Sequence, residues 1–445
     1  MVLGEYTDYL HGLHRKYGPV VRIGPDRVSD SCASDFKKVM ASYKFRKNID
    51  YDGFGGIHQN IFSTRDEEFN RMRRRQVGPA FSKTGLDSVE RIVQSICVDT
   101  FINKLNEIVD ISDGSAQFNY FKYFQNITAD VIGELTFGES FHAIENDGHP
   151  FGSFPPLKFL QSMVPVFTII DPKLKRFCLE AIKKRQDLIK NREFNTDRID
   201  ILQMYLVAVN SSTKKPLSND ELISEMITMV VAGVDTTSIT MTWLVTYYML
   251  YPKVYKRVVN EIRSNFSEKD HKITYKEARE KLPYFIATVY EVLRIKGSAG
   301  GALAREAPKE GVNLSGYDIP HGTDIYMFIS GAHQDTQVWG NKLNFNPDRF
   351  MGTEGEILKK EIVAFSTGIR ICPGKSLAWM EILMIISNLI KNFDLSLPSN
   401  SLYGPNILDI KNESEPMVPR DITFGTRPPE NPERDCNIVI SRVLS

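Results

Sequence analysis

The chain has 445 residues, a formal net charge of zero at pH 7, 42% hydrophobic residues and 25% charged residues. This is an ordinary globular composition, and the chain is long enough to build a core that encloses a sizeable cofactor. Because positive charge is not in excess, the composition argues against a nucleic-acid-binding protein. The five cysteines are scattered without a C-x-x-C pair, which argues against a disulfide framework and for a reducing compartment.

The N-terminal segment MVLGEYTDYLHGLHRKYGP has neither the apolar region of a signal peptide nor a membrane span. Residues 20–29, VVRIGPDRVS, predict a β-hairpin, and residues 85–290 show mostly helical apolar spacing. Short strand-like segments follow at 313–320 and 322–330, then a helix over 376–393 and a strand pair within 417–430. These patterns predict a mainly α fold with a large helical body and small β-sheets at its edge.

The most apolar stretch, residues 226–250, is long enough to cross a membrane. Asp235 lies in its middle, where a charge would be costly in lipid, so a buried helix of a globular core is favoured. Ser218 and Glu221, upstream of this stretch, predict an N-terminal capping box for the helix.

The segment FSTGIRICPG, residues 365–374, places Cys372 just before an apolar helix. Free N–H groups and the helix dipole favour a thiolate at such a position, and a bound metal completes the deprotonation. Gly374 would let a flat ligand approach the backbone, Arg370 could bind an acidic group on it, and Phe365 could pack on its face. A buried structural cysteine is the alternative, and we adopt that alternative for Cys32, Cys97, Cys178 and Cys436.

Small and polar residues interrupt the apolar helix at positions 232–237. Ala232 and Thr236 share a helix face, where small residues, including Gly233, would leave room for a diatomic ligand. The Thr236 hydroxyl can bond to the carbonyl four residues back, and a buried Asp235 needs a partner or a function. An ordinary buried helix with one glycine and several β-branched residues is the alternative.

Glu291 and Arg294 form an i,i+3 pair that would be of little value on a surface. The segment around them, YFIATVYEVLRI, is largely apolar, so the pair is predicted to be buried and to need a further partner. Arg349, in NPDRF, is the natural third member.

Phe365, Gly368, Arg370, Cys372 and Gly374 fit the pattern F-x-x-G-x-R-x-C-x-G. This segment resembles the haem-binding loop of the cytochrome P450 superfamily. The resemblance implies a single catalytic domain over residues 1–445 with the P450 fold, a buried haem b, and Cys372 as the axial iron ligand. A thiolate ligand donates electron density to iron and favours O–O cleavage.

Two further elements resemble the family in the same chain order. The 232–237 segment is similar to its oxygen-activating segment, which implies that Thr236 holds dioxygen and that Asp235 serves proton delivery. Glu291, Arg294 and Arg349 resemble its ExxR and PERF elements, which implies a network that locks the cysteine loop rather than a catalytic role.

The resemblance also implies which basic residues bind the haem propionates. Arg74, aligned through the following PAFS, and Arg305 are implied propionate ligands, and His333 is a weaker candidate. Asn70 stands where the family usually has Trp or His, so no propionate role is carried over to it. A basic proximal face that would steer an acidic electron donor is expected from Arg71, Arg73, Arg75 and Lys375.

The implied reaction inserts one atom of O2 into a substrate, with electrons from NADPH. The segments TADVIGELTFGESF and RRRQVGPAFS look most like fungal microsomal members, which take electrons from a flavoprotein NADPH–cytochrome reductase, with cytochrome b5 as a further donor. Such members sit on the cytoplasmic face of the endoplasmic reticulum through an N-terminal helix. We expect that this anchor has been removed here and that the chain as given is soluble.

The substrate is expected to be bulky and lipophilic, bound by the least patterned regions, 45–65, 150–170 and 295–303. The glycine-rich run 297–301 is expected to leave open space near the haem edge. The expected apolar walls are Phe54, Phe154, Phe159 and Phe167. Two alternatives stay open: a haem-thiolate isomerase or dehydratase, members of which generally lack the acid–threonine pair, and a non-catalytic haem sensor.

Overall fold

The computed structural model describes residues 4–148, 172–191, 200–209, 214–340, 343–410, 412–423 and 425–443. Within these ranges long helices dominate and strands are short, which confirms the predicted mainly α fold. The helices are α1 Tyr6–Tyr17, α2 Ala33–Met40, α3 Glu67–Val77, α4 Lys83–Val93, α5 Phe101–Ile111, α6 Tyr120–Phe137, α7 Pro172–Lys190, α8 Ile201–Val207, α9 Asn219–Leu250, α10 Pro252–Asn265, α11 Tyr275–Lys281, α12 Pro283–Lys296, α13 Ile329–Ala332, α14 Thr336–Trp339, α15 Gly352–Lys359, α16 Lys375–Asn392 and α17 Pro432–Asp435. The strands are β1 Val20–Gly24, β2 Arg27–Asp30, β3 Ser115–Asn119, β4 Ala302–Glu306, β5 Val312–Leu314, β6 Tyr317–Ile319, β7 Asp324–Phe328, β8 Phe393–Ser396, β9 Leu408–Asp409, β10 Asn412–Pro416 and β11 Asn437–Arg442.

The central helix α9 begins with the predicted capping box between Ser218 and Glu221. It is long and apolar enough to cross a membrane by length and composition, but 67% of its most apolar window is buried inside the protein. Helix α6 packs closely against it because Gly233 has no side chain. A Cβ at Gly233 would lie 2.7 Å from Cγ1 of Ile132. The prediction of a buried core helix is confirmed.

The predicted hairpin is present as β1 and β2, in a sheet of order β1-β2-β7-β4 in which β2 and β7 are parallel. A second sheet has the order β3-β11-β8. The strand pair predicted within 417–430 is present only in reduced form: Asp421 and Pro429 form an antiparallel bridge, flanked by hydrogen bonds from the Ile422 N–H to the Pro428 carbonyl and from the Glu430 N–H to the Arg420 carbonyl, but the described residues form no longer ladder. Proline cannot donate to a strand ladder, and Pro419 and Pro428 interrupt this segment as well.

The main apolar core lies between α6, α9, α12 and α16. The cysteine loop, residues 365–374, leads into α16 at the edge of this core and rests on α2. Gly368 makes that contact possible, since it has a φ of +67° and a Cβ there would lie 2.3 Å from the carbonyl oxygen of Met40. Only glycine combines this backbone conformation with so close an approach. The cysteine loop is therefore fixed by α2 on one side and by its connection to α16 on the other, without a contribution from a ligand.

Candidate active site

Cys372 lies three residues before the first residue of α16, at the end of a tight loop in which its N–H donates to the Phe365 carbonyl at 2.9 Å. Its side chain is exposed. Surrounding protein raises the pKa of the thiol, while backbone hydrogen bonds from Gly374 and Lys375 and the charge of Arg74 act in the opposite direction. The N–H groups of the loop and the charge of Arg74 thus act to stabilise a thiolate, against the larger effect of burial.

Gly374 and Phe365 are the two residues predicted to lie against a flat ligand. A Cβ at Gly374 would lie 3.9 Å from Sγ, and apart from its chain neighbours no other atom of the described residues would lie within 4 Å of it. Phe365 is half-buried, and Nζ of Lys375 lies 5.9 Å from its ring centroid. The protein itself leaves Gly374 uncrowded, as the approach of a flat ligand to the backbone would require.

Arg370 is buried beside the loop with part of its guanidinium group unbonded. Its Nε donates to Oε2 of Glu67 at 2.9 Å and its Nη2 to the Thr64 carbonyl at 3.0 Å. Its Nη1 is buried and has no hydrogen-bond partner among the described residues. A buried N–H group without a partner is costly, so Nη1 is suited to an acceptor supplied by a ligand.

Arg74, Arg305 and Lys47 add three more basic groups. Arg74 donates from Nε to Oδ1 of Asn70 at 3.2 Å and from Nη2 to the Ile371 carbonyl. The Arg305 Nη1 donates to the Ala304 carbonyl at 2.8 Å.

Lys47 is buried, and its Nζ lies 4.0 Å from the ring centroid of Tyr51 and donates to the Phe62 carbonyl. Burial lowers the pKa of Lys47 well below its ordinary value, and the nearby charges of Arg305, Arg370 and Arg74 lower it further. Glu67 is the acid that opposes them.

We call Lys47, Arg74, Arg305 and Arg370 the cation cluster. Three arginines and one carboxylate act on the buried Lys47, so positive charge predominates around it, which fits a ligand carrying carboxylates, such as the two propionates of haem. Lys47 and Glu67 were not predicted from sequence. Lys47 lies in the polar run FRKNIDYD, which looks like an ordinary exposed turn, so no local signal could have marked it.

In the middle of α9, one face of the helix is accessible. Ala232 is exposed and Thr236 is partly exposed, although the helix is mostly buried. The Thr236 Oγ1 donates to the Ala232 carbonyl at 2.8 Å, as predicted. Burial raises the pKa of Asp235 to about 6, and a hydrogen bond with Gln125 opposes that rise. Gly233 instead meets Ile132 of α6, so the structure assigns it to helix packing rather than to the face of Ala232 and Thr236.

The predicted contacts among Glu291, Arg294 and Arg349 are present and buried. Glu291 Oε2 accepts from Arg294 Nε at 2.7 Å, and Oε1 accepts from Arg349 Nε at 3.1 Å. Arg294 Nη1 donates to the His333 carbonyl at 3.2 Å, and Arg349 Nη1 to the Trp339 carbonyl at 3.2 Å. We call these three charged residues the Glu291 network.

His333 belongs to this network and not to the cation cluster. Its Nε2 accepts the Val363 N–H at 2.9 Å, and burial, followed by the charges of Arg294 and Arg427, lowers its pKa to about 3. The imidazole is therefore a neutral acceptor already occupied by the backbone, which overturns the expectation that it contacts a propionate.

Arg73 was expected on an exposed basic face, and this is wrong. Its side chain is fully buried and pairs with Glu221 at 2.6 Å and with Glu225 at 3.1 Å, because its side of α3 faces α9. Arg71, Arg75 and Lys375 are exposed.

The open space expected at the glycine run is filled at Gly300. A Cβ there would lie 1.9 Å from Cδ of Arg427, whereas Gly301 has only a contact at 4.0 Å. Phe54 packs against Phe62 in an aromatic cluster, with ring centroids 5.6 Å apart. The predicted residues Phe154, Phe159 and Phe167 lie outside the described residues.

Comparison with known proteins agrees with this geometry. The family model described as Cytochrome P450 matches residues 3–406. Cytochrome P450 monooxygenase helB1 of Aspergillus fumigatus is 33% identical, covering 99% of this chain and 78% of that protein. Cytochrome P450 monooxygenase helB2 of the same fungus is 30% identical, covering 96% and 87%, and Cytochrome P450 monooxygenase BOA3 of Botryotinia fuckeliana is 27% identical, covering 91% and 84%. The chain belongs to the cytochrome P450 family, the haem-thiolate monooxygenases.

Proposed function

We propose that this chain binds haem b through the thiolate of Cys372 and inserts one oxygen atom of O2 into a lipophilic substrate. The whole chain, 1–445, would act as one catalytic domain. The observation that carries the proposal is the cation cluster beside the cysteine loop, with its excess of buried positive charge. A buried cation without a counter-charge is unfavourable, so the cluster suits a resident ligand that brings carboxylates.

Different residues of the site would bind the iron, the propionates and the ring of the haem. Cys372 would hold the iron, with N–H groups from Gly374 and Lys375 supporting the thiolate. Arg74, Arg305 and Arg370, joined by Lys47, would bind the propionates, and Gly374 and Phe365 would lie against the ring. The haem iron supplies the activation of O2 when it is bound.

Residues of α9 would deliver a proton and position O2. The carboxyl of Asp235 holds its proton more tightly than an ordinary aspartate, since burial raises its pKa to about 6. Thr236, one residue later, presents its hydroxyl on the side of Ala232, where O2 would bind. We assign proton delivery to Asp235 and the positioning of O2 to Thr236.

We propose that electrons come from NADPH through a flavoprotein NADPH–cytochrome reductase, with cytochrome b5 as a further donor. The exposed Arg71, Arg75 and Lys375 support an acidic partner on the cysteine side. A location on the cytoplasmic face of the endoplasmic reticulum is part of the same proposal and rests on the resemblance to fungal microsomal members.

The test is the absorption spectrum of the reduced protein with carbon monoxide, recorded for wild type and Cys372→His. A strongly red-shifted Soret band in the wild type that is lost in the variant is expected. A band at the imidazole position in the wild type would overturn the proposal. NADPH consumption with added reductase then distinguishes a monooxygenase from an isomerase or a sensor, since neither of those needs external electrons.

A further inference from the structure

Asn70 occupies the position at which the family usually has a large ring side chain. It is 3% exposed and lies one helical turn before Arg74 on α3. Its amide has a donor and an acceptor in one rigid plane. Both are used: Nδ2 donates to the Ile61 carbonyl at 2.7 Å, and Oδ1 accepts from Nε of Arg74 at 3.2 Å.

The Ile61 backbone is itself fixed. Its N–H donates to both carboxylate oxygens of Glu225 at 3.1 Å, and Glu225 is fully buried on α9. Arg73 pairs with Glu225 at 3.1 Å and neutralises its charge, and the Tyr205 hydroxyl donates to Glu225 at 3.2 Å. The carbonyl that holds Asn70 is therefore anchored by a buried polar cluster that joins α3, α8 and α9.

Arg74 continues the connection to the cysteine loop. Its Nη2 donates to the carbonyl of Ile371, the residue before Cys372. Among the described residues, these contacts occupy Nε and Nη2, which leaves Nη1 for a ligand carboxylate. A long arginine side chain loses considerable rotamer freedom when it is fixed, so a second point of attachment matters for its direction.

We propose that Asn70 is a positioning residue: its Nδ2 is fixed on the anchored Ile61 carbonyl, and its Oδ1 accepts from Nε of Arg74 and so directs that guanidinium toward the carboxylate of the bound haem. The inference rests on the proposed function, in which Arg74 binds a propionate. In place of a ring side chain that could reach the ligand itself, this chain uses an amide that acts through its neighbour. Asn70 is then needed for haem retention but has no contact with the haem.

The test measures the rate at which haem passes from the holoprotein to excess apomyoglobin. The variants are Asn70→Ala, Arg74→Ala, the double variant and Asn70→Asp. Asn126→Ala is the matched control, because Asn126 is equally buried at 4% exposed but lies on α6 outside these contacts. Thermal unfolding of each holoprotein reports any general loss of stability.

Asn70→Ala is expected to release haem roughly tenfold faster than wild type, the scale of one hydrogen bond to a charged group. The double variant should release haem no faster than Arg74→Ala, because Asn70 acts only through Arg74. Asn70→Asp should release haem faster than wild type but more slowly than Arg74→Ala, because its carboxylate still accepts from Nε but cannot donate to the Ile61 carbonyl. If Asn70→Ala yields no holoprotein, Asn70→Asp decides: a rate between those of wild type and Arg74→Ala supports the inference.

A rate for Asn70→Ala equal to that of Asn126→Ala would overturn the inference, as would independent, multiplying effects in the double variant or release by Asn70→Asp as fast as by Arg74→Ala. These outcomes are distinct from failure of the proposed function. If the wild type lacks the red-shifted reduced–carbon monoxide band, haem-thiolate binding fails. If that band is present and the rates are unchanged, only the role of Asn70 fails.

Discussion

Two buried groups of basic side chains adjoin the cysteine loop. They differ in whether the protein itself supplies the counter-charges and hydrogen-bond acceptors of these side chains. In the Glu291 network, one carboxylate accepts from both Arg294 and Arg349, and backbone carbonyls accept from their other nitrogens. In the cation cluster, Glu67 pairs with Arg370, and Nη1 of Arg370 is left without a partner among the described residues. The first group is complete within the protein, and we propose that an anionic ligand completes the second.

This difference separates a structural role from a binding role more clearly than residue type does. Arginine occurs in both groups, and its fork can bind carboxylates in either. The role depends on whether the hydrogen-bond acceptors of these arginines belong to the protein or to a ligand.

The largest effect is expected from Glu291→Ala, which removes the carboxylate between Arg294 and Arg349. Two buried guanidinium groups would lose their shared counter-charge, so the free energy of unfolding should fall by about 3–5 kcal/mol. Denaturant unfolding of the holoprotein measures this. Glu356→Ala, at an exposed carboxylate paired with Lys359, is the control and should cost less than about 1 kcal/mol. Equal stability of the two variants would show that the network is not structural.

The same comparison applies to Asp235 in α9, a carboxyl group whose charge the protein compensates only in part. Asp235→Asn should slow turnover roughly 100-fold by removing the acid. The same variant should be more stable than wild type at pH 7. Because burial raises the folded-state pKa from 3.8 to about 6, wild type loses stability as the pH rises through that interval.

The stability gain of Asp235→Asn should be about 3 kcal/mol at pH 7 and should vanish below about pH 4. Unfolding curves of both holoproteins between these pH values measure it. A variant that is less stable than wild type at pH 7 would mean that the ionised carboxylate is well compensated in the fold.

Removing a charge from the cation cluster should stabilise the haem-free protein, whereas removing the charge of Glu291 should destabilise the protein. Lys47→Met removes a buried cation beside three arginines, so haem should dissociate roughly tenfold faster while the haem-free protein becomes more stable. Haem transfer to apomyoglobin and thermal unfolding of the haem-free protein measure the two effects. Lys44→Met is the matched control, because Lys44 is 68% exposed and pairs with Glu310. Loss of stability in the haem-free Lys47→Met protein would contradict the comparison.

The smallest effect is expected at the exposed arginines of α3. Charge reversal at Arg71 and Arg75 should slow reductase-driven turnover by about three- to tenfold at low salt, because exposed charges mainly affect encounter rates. Turnover driven by peroxide should not change. Arg176→Glu, which reverses an exposed arginine on α7, is the control. Equal losses in both assays would place these residues in the fold rather than in donor docking.

Features whose residues lie close together in the chain could be predicted. The hairpin at 20–30, the capping box at Ser218 and Glu221, and the contact from Thr236 to Ala232 each depend on residues within one or two turns. The cysteine loop carries its pattern within ten residues. Local backbone geometry decides such contacts, so a short window of sequence contains the information.

The strand pair predicted within 417–430 shows the limit of local patterns. The segment pairs only around Asp421 and Pro429, because prolines remove N–H donors that a longer ladder needs, and its Arg427 fills the space beside Gly300. The two residues lie far apart in sequence, so the glycine run could not reveal that its space is filled.

Only the tertiary structure decided which basic residues are exposed, paired or left for a ligand. Arg73 and Arg75 stand two apart in one run of arginines, yet Arg73 is buried against Glu221, 148 positions away, and Arg75 is exposed. Lys47 joins Arg305 and Arg370 only because β4 and the cysteine loop bring them together. The sequence by itself determined the family, the fold class and the position of the cysteine loop, because these depend on local patterns. The distribution of charge around that loop depends on long-range packing, which no single segment encodes.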